Sequence, residues 1–446
     1  MIRRRTLGAA GGAAGAALLA RPAIVAAQSR LDITWWHAMS GQLGAALDEV
    51  VAKFNESQDR FRVVAINKGN YVATLNAAIA AYRANEQPVL LQNNESGVLT
   101  MMLSNAIVPA HDILDQHGIS VNLDAYLRPV VDTYTDPRGR LLAMPFNSST
   151  AILFYNADML DRAGFRPPAT WEEMERQIRE LKGRGIAEIG YSFAAGPWQE
   201  LEIFSVWHDV PFATRENGFQ GLDAELMIHR TRAVGHVERL ARWSREGIAT
   251  FGAASKATWA SGARTAFLEG KAAFWVDSTA WHGTVEEGAR MRWGGAPLPH
   301  DEGVAPNRAM IGGAAIYAFK GHRPELYEGT AAFFRFLTDT DLQVFYHQRT
   351  GYVPITVAAW QKAKESGYYA RFPSREIAVT QLLGGRGTPN SRTIRLGNFE
   401  NVRAAIEEET DRVWAGQVTA QRALDEGVRK GNAILRRFEA QNRGRL

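Results

Sequence analysis

Ten residues, PVLLQNNESG at 88–97, set an acid where a buried strand should end: Val89-Leu90-Leu91 reads as a core strand, and Gln92, Asn93, Asn94 and Glu95 follow at once. A carboxylate there can accept hydroxyl donors in pairs. Other groups of chemical interest stand beside strands too. Asn147-Ser148-Ser149-Thr150 leads into the apolar run Ala151 to Tyr155, and Ala272 to Val276 leads into Asp277-Ser278-Thr279. Glu95 with Asp277 could form the carboxylate pair of a secreted glycosidase or phosphodiesterase. Against hydrolysis, the chain contains no GxSxG, no HExxH and no cysteine, which excludes thiol catalysis and Cys-based metal sites. No metal and no cofactor are expected.

The elements that must position these groups alternate. Leu31 to Trp35 is a strand, and Leu43, Leu47, Val50, Val51 and Phe54 form one helical stripe. Phe61 to Ile66 is a strand, Leu75, Ile79 and Tyr82 mark a helix, and Val89 to Leu91 is a third strand. Such a βαβαβ run predicts a mainly parallel sheet with helices on both faces, and ligands bind beyond the carboxyl ends of its strands. Trp36-His37, Lys68 to Tyr71 and Gln92 to Glu95 should therefore line one edge, with Glu95 at a cleft rim. A polar cluster after one strand is ordinarily a loop or cap; three in register point to a site. Farther on, 190–198 reads as an aromatic, glycine-rich loop, Met310 to Tyr317 as a strand interrupted by Gly312-Gly313, and Gly351-Tyr352-Val353-Pro354 as a rigid turn. Val402, Ile406 and Val413 stripe a helix stopped by Gly416, and Thr419 caps the next.

The chain has 446 residues, 46% of them hydrophobic, enough for a large two-lobed globular protein. Arg3-Arg4-Arg5, the small apolar run Leu7 to Ala20 and Val25-Ala26-Ala27 predict an export signal over 1–27. Arg4-Arg5-Thr6-Leu7 partly resembles a twin-arginine signal; the general secretory route stays open. Removing 1–27 takes Arg3, Arg4, Arg5 and Arg21 and no acid, so the formal charge falls from +4 to zero. That argues against nucleic acid or an anionic membrane as partner.

WWHAMSG at 35–41, NKGNYVATLNAAIAAYR at 67–83, LLQNNESGVLTMM at 90–102, PFNSST at 145–150, MIGGAAIY at 310–317, TGYVPIT at 350–356 and RLGNFENVR at 395–403 together resemble the glycerol-3-phosphate-binding periplasmic proteins of bacterial ABC importers, within extracellular solute-binding protein family 1. The likeness runs from about Ile33 to Phe438. It implies a monomeric, non-enzymatic α/β protein of the two-lobed periplasmic-binding-protein fold, with hinge strands between the lobes. The lobes expected are 28–146 with 314–355 and 147–313 with 356–446. It also implies a cleft that closes on glycerol-3-phosphate or a glycerophosphodiester such as glycerophosphocholine and delivers it to an ABC permease. Carried over by motif, the ligand-binding residues are Tyr71, Glu95, Ser149, Trp198, Ser278, Gly313, Tyr352 and Arg403.

The residue chemistry agrees. Arg403 can fork a phosphate, with Ser149, Ser278 and the Gly313 N–H as neutral donors. Glu95 takes the glycerol hydroxyls at the opposite end, Tyr71 and Tyr352 offer OH groups on stiff rings, and Trp198 offers a flat wall. Each has a plainer reading: an ion pair for Arg403, core packing for Trp198, a turn cap for Ser278, a strand bend for Gly313. Two departures stand out. Members specific for glycerol-3-phosphate carry a second Trp three residues before the retained one, where this chain has Ala195, which implies a roomier site. Ser40 stands where members often carry an acid. A sugar-binding protein of the same fold is the nearest alternative, and a secreted hydrolase a more distant one.

Overall fold

The computed structural model describes residues 30–252 and 262–445; the expected export signal lies outside the described residues. The expected βαβαβ start is present: β1 (Leu31–His37), helix Gly41–Ser57, β2 (Phe61–Asn67), helix Tyr71–Arg83 and β3 (Leu90–Asn94). Leu43, Leu47, Val50, Val51 and Phe54 are all buried, as their spacing requires. In the second helix the buried positions are instead Thr74 and Ala78, and Ile79 is exposed. Thr74 turns its hydroxyl back onto the Asn70 carbonyl at 2.7 Å, which lets a polar residue face the sheet.

Two sheets follow, joined by very short crossings. β4 (Ile107–Val108) and β5 (Met144–Ser149) complete the first with β11 (Gly312–Phe319), in the order β2-β1-β3-β11-β4, with β5 also on β11. β6 (Ala151–Asn156), β7 (Ile189–Phe193), β8 (Ala249–Phe251), β9 (Ala272–Ser278) and β10 (Trp293–Ala296) form the second, in the order β10-β6-β9-β7-β8. The expectation of mainly parallel sheets needs correction. Only β1-β2, β1-β3, β7-β8 and β7-β9 run parallel. β11 lies antiparallel to β3, β4 and β5, and β6 lies antiparallel to β9 and β10. Strands that pass from one sheet to the other enter against the direction of the βαβ run, so each sheet is mixed.

Thr150 alone separates β5 from β6. It is fully buried, gives its hydroxyl to the Met310 carbonyl at 2.9 Å, and accepts from the Thr279 N–H at 2.9 Å. Both crossings are thus tied to each other. Residues 190–193, expected in a loop, belong to β7, where Gly190 has no room for a Cβ, which would meet the Ile248 carbonyl at 2.5 Å. Gly416, at φ +70°, ends the helix Phe399–Trp414, and Thr419 accepts from the Arg422 N–H to cap Ala420–Asn442. No described helix is long and apolar enough to cross a membrane.

Candidate ligand site between the two sheets

The three strand-end clusters do meet at one edge. The Lys68 ammonium lies 4.0 Å from the centre of the Trp36 ring, and the Lys68 N–H donates to the His37 carbonyl at 2.8 Å. Gln92 accepts from the Ala38 N–H at 2.8 Å and donates to Asn147 Oδ1 at 2.8 Å, joining the ends of β1, β3 and β5. From there Asn147 Nδ2 donates to the Tyr71 hydroxyl at 2.9 Å. Tyr71 opens its helix, and Tyr352 follows the left-handed Gly351 that ends helix Thr340–Thr350. The Tyr352 hydroxyl meets Met39 Sδ at 3.6 Å, and burial pushes its pKa up to about 12; burial likewise raises that of Tyr71 well above the ordinary value. Both phenols therefore stay neutral.

Next to this group the strand pair β5-β11 sets the serines. Ser149 is in register with Gly312 and Ser148 with Gly313. Ser278, at the end of β9, donates to Ser149 Oγ at 2.8 Å. It also accepts from the Ala280 N–H at 3.2 Å, so it caps the following turn while facing Ser149. Gly313 sits at φ +102°, and a Cβ there would lie 1.9 Å from the Asn147 carbonyl oxygen. A Cβ on Gly312 would lie 2.3 Å from Trp198 Cζ2. The indole thus rests on bare backbone. Its Nε1 is buried and has no hydrogen-bond partner among the described residues.

Trp198 begins Trp198–Ile203, a stretch of π-helical pitch, and the same turn carries Glu202. Glu202 receives Arg403 Nε at 2.6 Å and Nη2 at 2.7 Å, and Nη2 also donates to Glu95 Oε1 at 2.6 Å. Glu400 lies 3.5 Å from Nη1. Burial raises the pKa of Glu95 and Glu202 against the pull of Arg403; burial alone would lower that of Arg403, yet the two carboxylates hold it well above its ordinary value. Glu95 and Arg403 are therefore not at opposite ends of a site, as the sequence chemistry has it. They touch, because the turn after β3 and the helix Phe399–Trp414 converge there.

The eight expected residues fall into four contact groups: Tyr71 and Tyr352 about Asn147 and Met39, Ser149 with Ser278, Gly313 on β11 beside the Gly312 that Trp198 covers, and Glu95 with Arg403. Two cavities, of about 510 and 340 Å3, are lined by other residues. The candidate site is therefore read from hydrogen bonds and not from open volume. Residues outside the expected set also belong to it. Gln92 and Asn147 stood in the strand-end motifs, and buried Asn93 has both amide atoms unpartnered. Glu202 had no signal in the sequence. Ser40 is exposed at the start of its helix, with no side-chain cap bond. Buried Ala195 has φ +58°.

Contacts across the cleft show the two halves drawn together. Gln42 donates to Glu287 at 2.8 Å and accepts from Thr284 at 3.2 Å; Arg349, whose Nε donates to Glu49 on its own half at 3.1 Å, has its Nη1 3.7 Å from Glu287. Asn94 and Ser96 both donate to Glu400.

Residues 49–368 match the family model for a bacterial extracellular solute-binding protein. The chain belongs to that family. This solute-binding protein is 36% identical over 419 residues to the sn-glycerol-3-phosphate-binding periplasmic protein UgpB of Yersinia pseudotuberculosis, covering 92% of this chain and 94% of the relative. It is 37% identical over 413 residues to UgpB of Rhizobium meliloti, covering 92% and 95%. Among solved structures, it is similar to UgpB from Mycobacterium tuberculosis in complex with glycerophosphocholine, with TM-score 0.74, 21% identity, and 91% and 98% of the two chains covered. It is also similar to the GacH receptor of Streptomyces glaucescens, solved with acarbose, with TM-score 0.75, 16% identity, and 92% and 98% covered. At these identities the structural likeness establishes the two-lobed fold.

Proposed function

We propose that this solute-binding protein is the periplasmic receptor of an ABC importer, capturing glycerol-3-phosphate or a glycerophosphodiester such as glycerophosphocholine and handing it to the permease. The supporting geometry is a buried guanidinium, Arg403, held between Glu95 from the turn after β3 and Glu202 from the π-helical turn after β7, together with the Ser149–Ser278 pair. One cation with hydroxyl donors suits a phosphate group, and buried carboxylates suit the hydroxyls of a glycerol end. Relatives named for glycerol-3-phosphate at over a third identity along nearly the whole chain favour this ligand class.

Arg403 Nη1, the Ser149 hydroxyl and the unpartnered Trp198 N–H are the donors assigned to the ligand, with Tyr71, Glu95, Ser278, Gly313 and Tyr352 around it. The lobes are 28–146 with 314–355 and 147–313 with 356–446. Ligand contact with both shifts the hinge equilibrium toward closure. Ala195 leaves room for a diester head group. The protein acts as a monomer, exported by the Sec or Tat route.

Calorimetry on the mature chain with glycerol-3-phosphate and with glycerophosphocholine tests the reading. Saturable binding of at least one, with the ligand recovered intact, is expected. Release of choline or glycerol would favour the hydrolase, and stabilisation by a disaccharide alone would favour a sugar receptor, which the acarbose-bound neighbour represents.

A further inference from the structure

The cavity of about 340 Å3 shares no lining residue with the eight-residue site; it lies between Pro129–Thr133 of the first lobe on one side and Phe219, Arg308 and 387–393 of the second on the other. Its volume is in the range of small-molecule sites. Its lining carries two acids, Asp132 and Glu216, and two arginines, Arg308 and Arg392, with Arg128 and Arg395 next to it. Asp132 is paired with Arg128 at 3.0 Å and Glu216 with Arg392 Nη1 at 2.9 Å. Arg308 and the adjacent Arg395 make no ion pair among the described residues. Arg395 spends one nitrogen on three carbonyls and stacks on Phe219, the ring that Arg392 also covers. Arg308 is half-buried, and among the described residues its side chain makes one hydrogen bond, a long one of 3.4 Å from Nε to the Gly384 carbonyl. Both of its terminal nitrogens are uncommitted.

The loop that holds Arg308 is rigidly built. Its sequence is GGRGT at 384–388, with Gly385 and Gly387 at φ +64° and +65°. Asn307 Oδ1 accepts from the Arg386 and Gly387 N–H groups at 3.1 and 3.3 Å, and Asn307 Nδ2 donates to Thr388 at 3.0 Å. The guanidinium lies flat over Gly387, where a Cβ would come within 2.7 Å of Nη2. The wall's hydroxyl hydrogens are already used: Thr133 donates to the Pro129 carbonyl at 3.0 Å and Ser391 to the Thr388 carbonyl at 2.9 Å. The Thr133 oxygen also pairs with the Thr393 hydroxyl at 2.8 Å, so the Ser391 oxygen is the acceptor left for a guest that brings its own hydroxyl hydrogens.

We propose that this cavity is a second binding site, distinct from the eight-residue site, for the phosphate group of a small hydroxylated solute, forked by Arg308 with Arg392 beside it. Guanidinium pairs of this kind recognise phosphate through charge-assisted, bidentate hydrogen bonds. Arg308 and Arg392 take no part in the cleft site, so the two sites are separable by mutation.

The test titrates inorganic phosphate into the full mature chain and into Arg308→Gln and Arg392→Gln, with melting temperatures recorded for all three. Saturable binding by the parent chain is expected, weakened about tenfold or more in both variants, which should melt within a few degrees of it because neither side chain is fully buried. Affinity unchanged in both variants would place the phosphate elsewhere and overturn the proposal. So would the absence of saturable binding to the parent chain, whatever the cleft ligand proves to be.

Discussion

Arg403 is the residue on which the site's electrostatics turn, and its two carboxylate partners make its removal costly in two ways. Arg403→Ala takes a charge-assisted contact from the ligand, about 1.5 to 3 kcal/mol or more of affinity. It also leaves Glu95 and Glu202 buried without their cation, a loss of about 3 kcal/mol or more of stability. Calorimetry and thermal melting together should show both; unchanged affinity would remove Arg403 from the site. A second residue carries a pH signature. Glu200, buried beside Trp198 and 3.1 Å from His236 Nε2, has its carboxyl pushed up to about 8, by burial first and by the charge of Asp277 second. The folded chain keeps that proton up to about pH 8, whereas the unfolded chain loses it near 4.3. Glu200 therefore subtracts stability increasingly as pH rises across that window. Glu200→Gln should melt above the parent by a margin that widens from pH 4.5 to 8; a constant margin would contradict the assignment.

At the scale of the element, β11 is the strand that aligns the site, and its two glycines should fail differently. Gly313→Ala combines φ +102° with a clash against backbone oxygen, so it should lower the melting temperature, by about 1 to 3 kcal/mol in stability. Gly312→Ala meets only the Trp198 ring, which can tilt, so ligand affinity should fall more than stability does. Equal effects of the two on melting would refute the distinction. The elements themselves were largely legible: stripes of period 3.6 and apolar runs of strand length located the βαβαβ start, and the polar residues at the strand ends located Glu95 and Tyr71. Strand direction was not. Whether β11 runs with or against β3 depends on how the chain crosses between sheets, which no local pattern records. Glu202 was equally hidden. It meets Arg403 across 201 positions, and the π-helical turn that aims it has no signature of its own.

At the scale of the whole molecule, the two halves are joined outside the site by buried contacts, such as Arg395 on the carbonyls of Asp132, Thr133 and Thr135, and by exposed ones. Gln42, on the first helix, reaches Glu287 and Thr284 on the other half. Such a contact is worth up to about 1 kcal/mol, so Gln42→Ala should weaken ligand binding up to about fivefold through a more open resting state. Small-angle scattering of the ligand-free variant should show a larger radius than the parent; an identical radius would mean that Gln42 does not hold the halves together. The lobes follow from the chain's length and its alternation of elements, whereas the ion triplet between them could not be read from order alone, since Glu95 and Arg403 stand 308 residues apart. The most direct test of the cleft is a crystal structure of the mature chain with glycerol-3-phosphate or glycerophosphocholine. The phosphate is expected beside Arg403, Ser149 and Ser278, with the glycerol hydroxyls toward the tyrosines. An empty cleft, or a guest bound away from these residues, would contradict the proposed site.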